Sequence, residues 1–296
     1  MIQPLDLTIA IPVKNEEKNL AICLASIGAD LARNVVVIDS GSTDRTKEIS
    51  QSYGAEVVDF VWDGKFPKKR NWYLRNHAPQ TKWVMFLDAD EFLTDQFKAE
   101  LRQALNRNDD KVGFWLRYTI YFMGKPLKGG YFLHKLALFR VGAGEYERID
   151  EKQWSKLDME VHEHPVLQGE IGTIKSKIDH QDLRGISYYV TKHNEYSSWE
   201  AARFLKMSKD TQSVNRWSWM QRIKYGLMRT PLLGPAFFFG SFFLMGGFRD
   251  GSRGFAFALL KMAYFTQMYC KIRELSEEEE RQAAVIPTVA PESVKV

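Results

Sequence analysis

Trp83-Val-Met-Phe-Leu-Asp-Ala-Asp90 joins an uncharged apolar run to two carboxylates that stand two residues apart. The run is short and rich in large apolar side chains, which predicts a buried strand of a parallel sheet. In open sheets of this kind, ligands bind beyond the carboxyl ends of the strands. Asp88 and Asp90 are therefore candidates for a functional site, although an isolated Asp-x-Asp pair is a weak signal because acidic turns are common.

Three more apolar runs precede this strand and alternate with segments of helical spacing. Strands are predicted at 7–13, 34–39 and 55–61, and helices at 16–29, 45–53, 68–77 and 95–106. Four alternations of strand and helix favour an α/β fold with a mostly parallel sheet and helices on both faces. Beyond residue 106 the pattern predicts strands of a mixed, partly antiparallel second half at 112–122 and 135–140, and an aromatic-rich helix at 187–210.

The bulk composition is that of an ordinary globular protein. The net charge of +4 over 296 residues offers no basic stripe, so we expect no nucleic-acid partner. Cys23 and Cys270 both lie in apolar stretches and are predicted to be small buried side chains in a reducing compartment. No signal-peptide pattern opens the sequence, so a cytosolic catalytic part is expected.

A second polar cluster, Ile38-Asp-Ser-Gly-Ser-Thr-Asp44, follows the strand predicted at 34–39. Asp39 has the chemistry to accept a hydrogen bond from a base or a ribose, and Gly41 permits a turn that brings the backbone close to a ligand. The alternative is a plain strand-to-helix turn in which Thr43 or Asp44 caps the following helix. That alternative leaves Asp39 and Gly41 unexplained.

Three segments taken together resemble the ordered signatures of the family 2 glycosyltransferases. They are Ile11-Pro-Val-Lys-Asn-Glu-Glu17, Val37-Ile-Asp-Ser-Gly-Ser-Thr-Asp44 and Phe86-Leu-Asp-Ala-Asp-Glu91, and they span the first third of the sequence. The resemblance implies a GT-A (Rossmann-like) fold. It also implies a nucleoside-diphosphate sugar donor, usually UDP-linked, and inversion at the anomeric carbon.

The resemblance further implies roles for individual residues. Those that would line the nucleotide pocket or bind the base are Pro12, Val13, Glu16 and Asp39. Asp88 would approach the ribose or the metal, and Asp90 would coordinate the metal. Carboxylate oxygens are hard ligands that suit Mg²⁺ or Mn²⁺, and such an ion stabilises a departing diphosphate without proton transfer.

Between the second and third signatures, Arg70 and Asn71 resemble a basic-Asn element found in a subset of the family. This resemblance predicts contacts with the nucleotide sugar. The alternative is a solvated basic start of the helix predicted at 68–77.

An inverting transferase needs a carboxylate near the acceptor hydroxyl. Val161-His-Glu163 resembles an element of the lipopolysaccharide-core glucosyltransferase branch, so Glu163 is predicted as the base, with Asp158 and Glu160 as rivals. His162 would orient the base, and His180 would be a late metal or phosphate contact. A lone histidine is more often structural, which is the alternative for both. The processive Gln-x-x-Arg-Trp element is absent from the sequence, which favours transfer of a single sugar.

The uncharged, aromatic segment 230–248 sits at the lower limit of length for a spanning helix and carries several Pro and Gly residues. Because basic residues accumulate around it, we predict an interfacial or shallow re-entrant segment on an anionic membrane surface. The alternatives are a buried aromatic core or dimer surface, and a spanning helix. The predicted division is therefore 1–210 catalytic, 211–275 helical and membrane-associated, and 276–296 disordered.

These expectations combine into a peripheral or monotopic enzyme on the cytoplasmic face of the inner membrane. It would add one sugar to a lipid-linked or lipopolysaccharide-core saccharide. Two alternatives are a polyprenyl-phosphate sugar synthase, whose acceptor needs little base catalysis, and a catalytically silent module that binds nucleotide. The sugar and the linkage do not follow from the sequence.

Overall fold

The computed structural model describes residues 3–107, 110–148, 158, 164–209 and 219–285. The strands within these ranges are β1 (Leu5–Val13), β2 (Ala32–Asp39), β3 (Glu56–Asp59), β4 (Trp83–Phe86), β5 (Glu91–Phe92), β6 (Lys111–Phe122), β7 (Lys125–Pro126), β8 (His134–Arg140), β9 (Gly144–Tyr146), β10 (Pro165–Leu167) and β11 (Glu170–His180). One nine-stranded sheet has the order β3-β2-β1-β4-β8-β6-β11-β5, with β7 paired to β6, while β9 and β10 pair separately.

The helices include every one predicted between residues 16 and 106. They are α1 (Leu20–Ile27), α2 (Thr46–Ser52), α3 (Lys69–Asn76), α4 (Asp95–Asn106), α5 (Ile186–Lys209), α6 (Trp219–Met228), α7 (Leu233–Phe239) and α8 (Gly251–Val285). Helix α1 starts later than expected from the 16–29 pattern. Residues 17–19 form a turn instead, in which the Asn19 N–H donates to the Glu16 carbonyl oxygen at 3.0 Å.

The first half of the sheet is parallel, as the alternation of elements predicts. β1 pairs in parallel with β2 and β4, and β2 pairs in parallel with β3. Side chains alternate across the sheet, so Ile9 and Met85 join a core with α1 and α4, whereas Ala10 and Phe86 join a second core with α3. Helices therefore cover both faces.

The second half is mixed. β8 is antiparallel to both β4 and β6, β11 is parallel to β6, and β5 closes the edge antiparallel to β11. The expectation of a partly antiparallel second half is confirmed. The description of the whole sheet as mostly parallel is wrong, because strand direction reverses three times between β4 and β5 in the order of the sheet.

The C-terminal helices pack on the catalytic half. Helices α5 and α8 enclose a separate apolar cluster formed by Ala201, Phe204, Met228, Tyr264, Met268 and Ile272. A π-helical turn (Gly240–Leu244) and a 3₁₀ turn (Gly247–Asp250) connect α7 to α8. In the ranges that the structure covers, no helix combines the length and the apolar character needed to cross a membrane.

A loop before β8 holds this connection to the sheet. Asp250 accepts hydrogen bonds from the backbone N–H groups of Lys128 (2.9 Å) and Gly129 (3.2 Å). The Ser241 hydroxyl donates to the Gly130 carbonyl oxygen at 2.6 Å, and the Gly130 N–H donates to the Met245 carbonyl oxygen at 2.9 Å. The Asp-Gly turn at residue 250 is thus structural, and it anchors the C-terminal helices to the loop before β8.

Two expectations for the C-terminal region are wrong. Helix α8 continues to Val285 and so includes ten residues of the predicted disordered tail, 276–285; residues 286–296 lie outside the described ranges. Glu, Arg and Gln are good helix formers, and Arg273 adds an ion pair to Glu277 at 3.0 Å. Cys270 is exposed rather than buried, because Met268 and Ile272 occupy the buried face of α8.

Candidate functional site

The turn after β2 is held by Asp39, whose side chain is fully buried. Its carboxylate accepts hydrogen bonds from the Ser42 backbone N–H at 2.9 Å and from the Ser42 hydroxyl. Gly41 has a φ of 71°, which favours glycine. Asp44 caps the next helix by accepting from the Thr46 N–H at 3.0 Å. The structural reading of the turn therefore accounts for Asp39 as well, and the nucleotide roles of Asp39 and Gly41 stay predictions.

β1 ends beside this turn. Pro12 lies opposite Ile38 and Val13 lies opposite Asp39 in the parallel register. The carbonyl oxygen of Val13 accepts a hydrogen bond from the buried ammonium of Lys69 at 3.0 Å. Pro12 and Val13 thus stand at the carboxyl edge where the resemblance expects the nucleotide.

Glu16 follows β1 and belongs to a charged network. Its Oε1 lies 2.6 Å from Arg184 Nη1, and its Oε2 accepts from the Asn19 amide at 2.9 Å. Arg184 also pairs with Asp182 at 2.6 Å. Burial raises the pKa of Glu16 to about 7, and the nearby Arg184 opposes that rise. Both oxygens of Glu16 are engaged by protein groups at this edge.

Asp88 follows β4 and is bound by two cations. Its Oδ1 lies 2.7 Å from Arg70 Nη2, and its Oδ2 lies 2.6 Å from Lys135 Nζ. Lys135 bridges to Glu91 as well, at 2.5 Å. Burial alone would raise the pKa of Asp88, but Lys135 and Arg70 hold it well below its usual range. Asp88 is therefore ionised at neutral pH with both of its oxygens occupied.

Asp90 faces a different set of groups. Its Oδ1 lies 3.5 Å from His180 Nε2, and its Oδ2 lies 3.5 Å from Lys192 Nζ and 3.9 Å from Arg184 Nη2. His180 reaches this place because β11 pairs with β5, which sets His180 opposite Glu91. Burial opposes ionisation, but Lys192 and His180 hold the pKa of Asp90 well below its usual value.

Arg70 and Asn71 are buried, so the alternative of a solvated helix start is wrong. Arg70 binds Asp88, and its guanidinium lies 5.4 Å from the Tyr146 ring centroid. The Asn71 amide donates to the Tyr146 carbonyl oxygen and accepts from the Tyr146 N–H, both at 2.9 Å. Asn71 therefore fastens α3 to β9, and only Arg70 of this pair reaches the Asp88 cluster.

Of the three residues predicted to hold a divalent cation, two lie next to each other and the third does not face them. Asp90 and His180 present a carboxylate oxygen and an imidazole nitrogen 3.5 Å apart, near the roughly 3 Å that separates adjacent octahedral ligands at about 2.1 Å from Mg²⁺. Asp88 points both oxygens at cations instead. Across the described ranges, no group of three or more His, Cys, Asp or Glu side chains is placed to hold a metal ion. Asp90 and His180 are thus the two predicted ligands that fit.

The predicted base, Glu163, and its neighbour His162 lie outside the described residues, as does Glu160. Asp158 is described, and its carboxylate lies 3.3 Å from Lys69 Nζ. Asp158 is therefore in an ion pair with a fully buried lysine that also contacts the end of β1.

Three of the cations around the two aspartates, Lys135, Arg184 and Lys192, were not predicted. Lys135 lies at the start of β8, Arg184 follows β11, and Lys192 lies on α5, all far along the chain from residue 90. Lysines and arginines at such positions read as solvated surface. Only the pairings of β8 with β4 and of β11 with β5 bring two of these segments to the carboxyl edge of β4.

Residues 8–153 match the model of glycosyl transferase family 2. They are a family 2 glycosyltransferase domain. The chain that carries this domain is a glycosyltransferase with a GT-A fold, and the resemblance drawn from the three signatures is confirmed.

Among similar proteins, the lipopolysaccharide core biosynthesis glycosyltransferase LpsC of Rhizobium meliloti is 29% identical over 276 residues, which cover 89% of this chain and 90% of LpsC. The 4,4'-diaponeurosporenoate glycosyltransferase of Staphylococcus aureus is 42% identical over 94 residues, or 28% of this chain and 24% of that protein. Glucosyl-3-phosphoglycerate synthase of Mycobacterium tuberculosis, solved with Mn²⁺ and UDP, aligns over 40% of this chain and 44% of its own at 24% identity. Its TM-score of 0.31 is too low for its site to be compared with this one.

Proposed function

We propose that this enzyme transfers one sugar, with inversion, from a UDP-linked donor to a lipid-linked or lipopolysaccharide-core saccharide. The observation that carries the proposal is the convergence of Arg70, Lys135, Arg184 and Lys192 on Asp88 and Asp90 at the carboxyl edge of β4. A departing diphosphate develops negative charge, and fixed cations in a partly dry site stabilise it. Similarity to LpsC along 89% of the chain supports the choice of acceptor.

Asp90 and His180 are proposed to hold Mg²⁺ or Mn²⁺. Bound there, the ion would act as a Lewis acid on the diphosphate of the donor. Asp88 would keep Arg70 and Lys135 in place at the same edge, in contact distance of the ribose or the diphosphate. Glu163 is proposed as the base that accepts the proton of the acceptor hydroxyl, and His162 as its orienting neighbour.

The test uses the full chain, a panel of UDP-glucose, UDP-galactose and UDP-N-acetylglucosamine, Mn²⁺, and a lipopolysaccharide-core acceptor. We expect release of UDP that depends on the acceptor with one of these donors, loss of that release in chelator, and recovery with added Mn²⁺. Full activity in chelator would overturn the metal assignment. Turnover of none of the donors would overturn the proposed reaction. Loss of transfer to a hydroxyl in Glu163→Gln, with transfer to a polyprenyl phosphate retained, would point to the synthase alternative.

An anionic membrane surface is the proposed partner of the segment between α7 and α8. Exposed apolar side chains lie in this segment and in the helices and turn that flank it: Leu232, Phe239, Phe243, Leu244, Phe248 and Phe255. The exposed Arg249 lies within the same stretch. Apolar insertion together with basic charge is the combination that binds an interfacial segment to anionic lipid.

Flotation with phosphatidylglycerol vesicles tests this surface. Leu244 and Val61 are both 88% exposed, but Val61 lies far along the chain, just after β3. We expect Leu244→Asp to lower the bound fraction and Val61→Asp to leave it unchanged. Equal binding by both variants and by the parent protein would contradict the membrane assignment.

A further inference from the structure

Lys261 lies on the inner side of α8 among aromatic rings. Its ammonium is 5.0 Å from the ring centroid of Tyr131, 5.6 Å from that of Tyr264 and 5.8 Å from that of Phe257. The side chain is partly buried. A cation over several ring faces gains from their quadrupoles, but rings do not neutralise its charge.

The hydrogen bond of Lys261 goes to a second basic residue. Its Nζ lies 3.2 Å from His193 Nε2, while His193 Nδ1 lies 2.8 Å from the Tyr189 carbonyl oxygen. The carbonyl oxygen accepts only, so Nδ1 carries the proton and Nε2 accepts from the ammonium. Within the ranges that the structure covers, no carboxylate lies in ion-pair distance of Lys261, which leaves this charge without a counterion.

The surroundings make that charge costly. Burial and the neighbouring Lys192 lower the pKa of Lys261 to about 8. The Tyr189 ring stacks on His193 with centroids 3.8 Å apart, and its buried hydroxyl finds no hydrogen-bond partner among the described residues. A cation without a counterion beside a buried hydroxyl without an acceptor is an unfavourable arrangement that a bound anion would relieve.

Helix pairing does not require such a lysine. Ten residues further along α8, Lys271 also reaches α5, where its ammonium donates to oxygens of Asn194, Ser197 and Ser198 at 2.7 to 2.8 Å. Lys271 is fully satisfied by neutral oxygens. Among the described residues, Lys261 lacks the oxygen acceptors that Lys271 has. This difference indicates that Lys261 binds a ligand and does not serve to join the two helices.

The position of Lys261 adjoins the carboxyl edge of β4. Lys192, whose charge acts on Lys261, lies 3.5 Å from Asp90. The Tyr131 ring, which Lys261 faces, interacts electrostatically with Lys135, and Lys135 in turn binds Asp88. The cluster of Lys261, His193, Tyr131, Tyr189 and Tyr264, here called the Lys261 pocket, therefore neighbours the lysines that bind the two aspartates.

We propose that the Lys261 pocket binds an acidic group, phosphate or carboxylate, carried by the acceptor saccharide. Lys261 donates to the anion, and the tyrosine rings pack against the sugar that bears it. This inference rests on the proposed function in that it names the acceptor as an acidic saccharide. Phe255, one of the exposed apolar side chains of the proposed membrane surface, lies on α8 as Lys261 does, so a membrane-borne acceptor and this pocket share one structural element.

The test measures binding without turnover. The probes are a deacylated lipopolysaccharide-core oligosaccharide, the same oligosaccharide after removal of its phosphates, and the same oligosaccharide after reduction of its carboxyl groups. Their dissociation constants are measured calorimetrically with the parent full chain, Lys261→Met, Lys261→Gln, Lys261→Arg and the control Lys271→Met. We expect the parent chain to lose at least tenfold in affinity when one kind of acidic group is removed, and that preference identifies phosphate or carboxylate.

Both neutral variants at Lys261 should bind intact and modified oligosaccharide alike, whereas Lys261→Arg and Lys271→Met should keep the preference. A preference that survives in Lys261→Met and in Lys261→Gln, or a parent chain with no preference, would overturn the proposal. Flotation on phosphatidylglycerol vesicles should be equal for Lys261→Met and the parent chain; a loss there would assign the charge to lipid headgroups instead. Binding is measured without the sugar donor. A lack of UDP-sugar turnover would therefore contradict the proposed reaction but would not affect this binding test.

Discussion

The carboxyl edge of β4 and the α5–α8 helix pair treat buried charge in opposite ways. At the edge, Asp88 and Asp90 are each surrounded by cations, and Lys135 joins Asp88 to Glu91. Between the helices, Lys261 has rings and a histidine but no carboxylate in the described ranges. The first region is close to neutral as the protein stands, so its charges are structural until a ligand replaces them. The second carries a charge that no carboxylate in the described ranges neutralises.

Of the substitutions that test this comparison, Asp90→Asn is expected to have the largest effect, a loss of transfer rate. We expect the transfer rate to fall at least about a thousandfold, since the change removes the charge that would hold the cation at the diphosphate. The control is Asp95→Asn, because the Asp95 side chain is 97% exposed. Initial rates of UDP release measure both. Equal rates for the two variants would show that Asp90 has no part in the reaction.

Lys135→Met tests whether the edge is held by its internal pairs. Asp88 and Glu91 would lose a shared cation, and removal of one partner from a buried ion pair costs about 3 kcal/mol of unfolding free energy. Lys111, whose pair with Glu170 is on the surface, is the control, and its substitution by Met should cost less than about 1 kcal/mol. Urea denaturation gives both values, and a Lys135 variant as stable as the Lys111 variant would contradict the balanced-charge description.

Gly129→Ala tests how firmly the helical region is docked. An added Cβ would stand 2.5 Å from the Gly246 carbonyl oxygen and 2.6 Å from that of Met245, so the two backbones would have to separate at a cost of about 1–3 kcal/mol. Gly226→Ala is the control, because that position has open space and lies in α6, where alanine is favoured by up to about 1 kcal/mol. The melting temperature should therefore fall for Gly129→Ala and rise for Gly226→Ala, as measured by thermal unfolding.

The smallest and most diagnostic effect separates the two lysines of α8. Lys271→Met should lower the free energy of unfolding by about 1 kcal/mol, because three side chains of α5 lose a donor. Lys261→Met should leave it unchanged or raise it, since an uncompensated cation is replaced by an apolar side chain of similar length. The urea midpoints of the two variants, compared with that of the parent chain, measure both changes in stability. A larger loss for Lys261→Met would mean that this lysine is a packing element.

The sequence allowed the parallel half and its carboxyl edge to be predicted, because β1, β2 and β4 are continuous apolar runs that end in polar residues. It did not reveal β11. The buried isoleucines of that strand, Ile174 and Ile178, are four residues apart, a spacing that resembles a helix more than an alternating strand. Because β11 was not predicted, His180 could be proposed as a metal ligand, but its position beside Asp90 could not.

Unlike Arg70, the cations Lys135, Arg184 and Lys192 had no sequence signal. Lys135 meets Asp88 only because β8 runs antiparallel to β4, and Lys192 meets Asp90 only because α5 begins just after β11. Register and direction of distant strands decide such contacts, and neither follows from local spacing. The same holds for Lys261, whose environment is assembled from a loop before β8 and from two helices that are far apart in the chain.

The edge pairing of β5 with β11 has a consequence for the order of events during synthesis. Glu91 lies opposite His180, so the residues beside Asp90 obtain their strand partner only after most of the catalytic half has left the ribosome. Until then the β1–β4 layers can assemble from nearby segments, but the acidic edge stays open on one side. Contacts between such distant residues form late and slowly. The residues beside Asp90 therefore gain their strand partner late in synthesis, and a chain interrupted before residue 170 would carry both aspartates without β11.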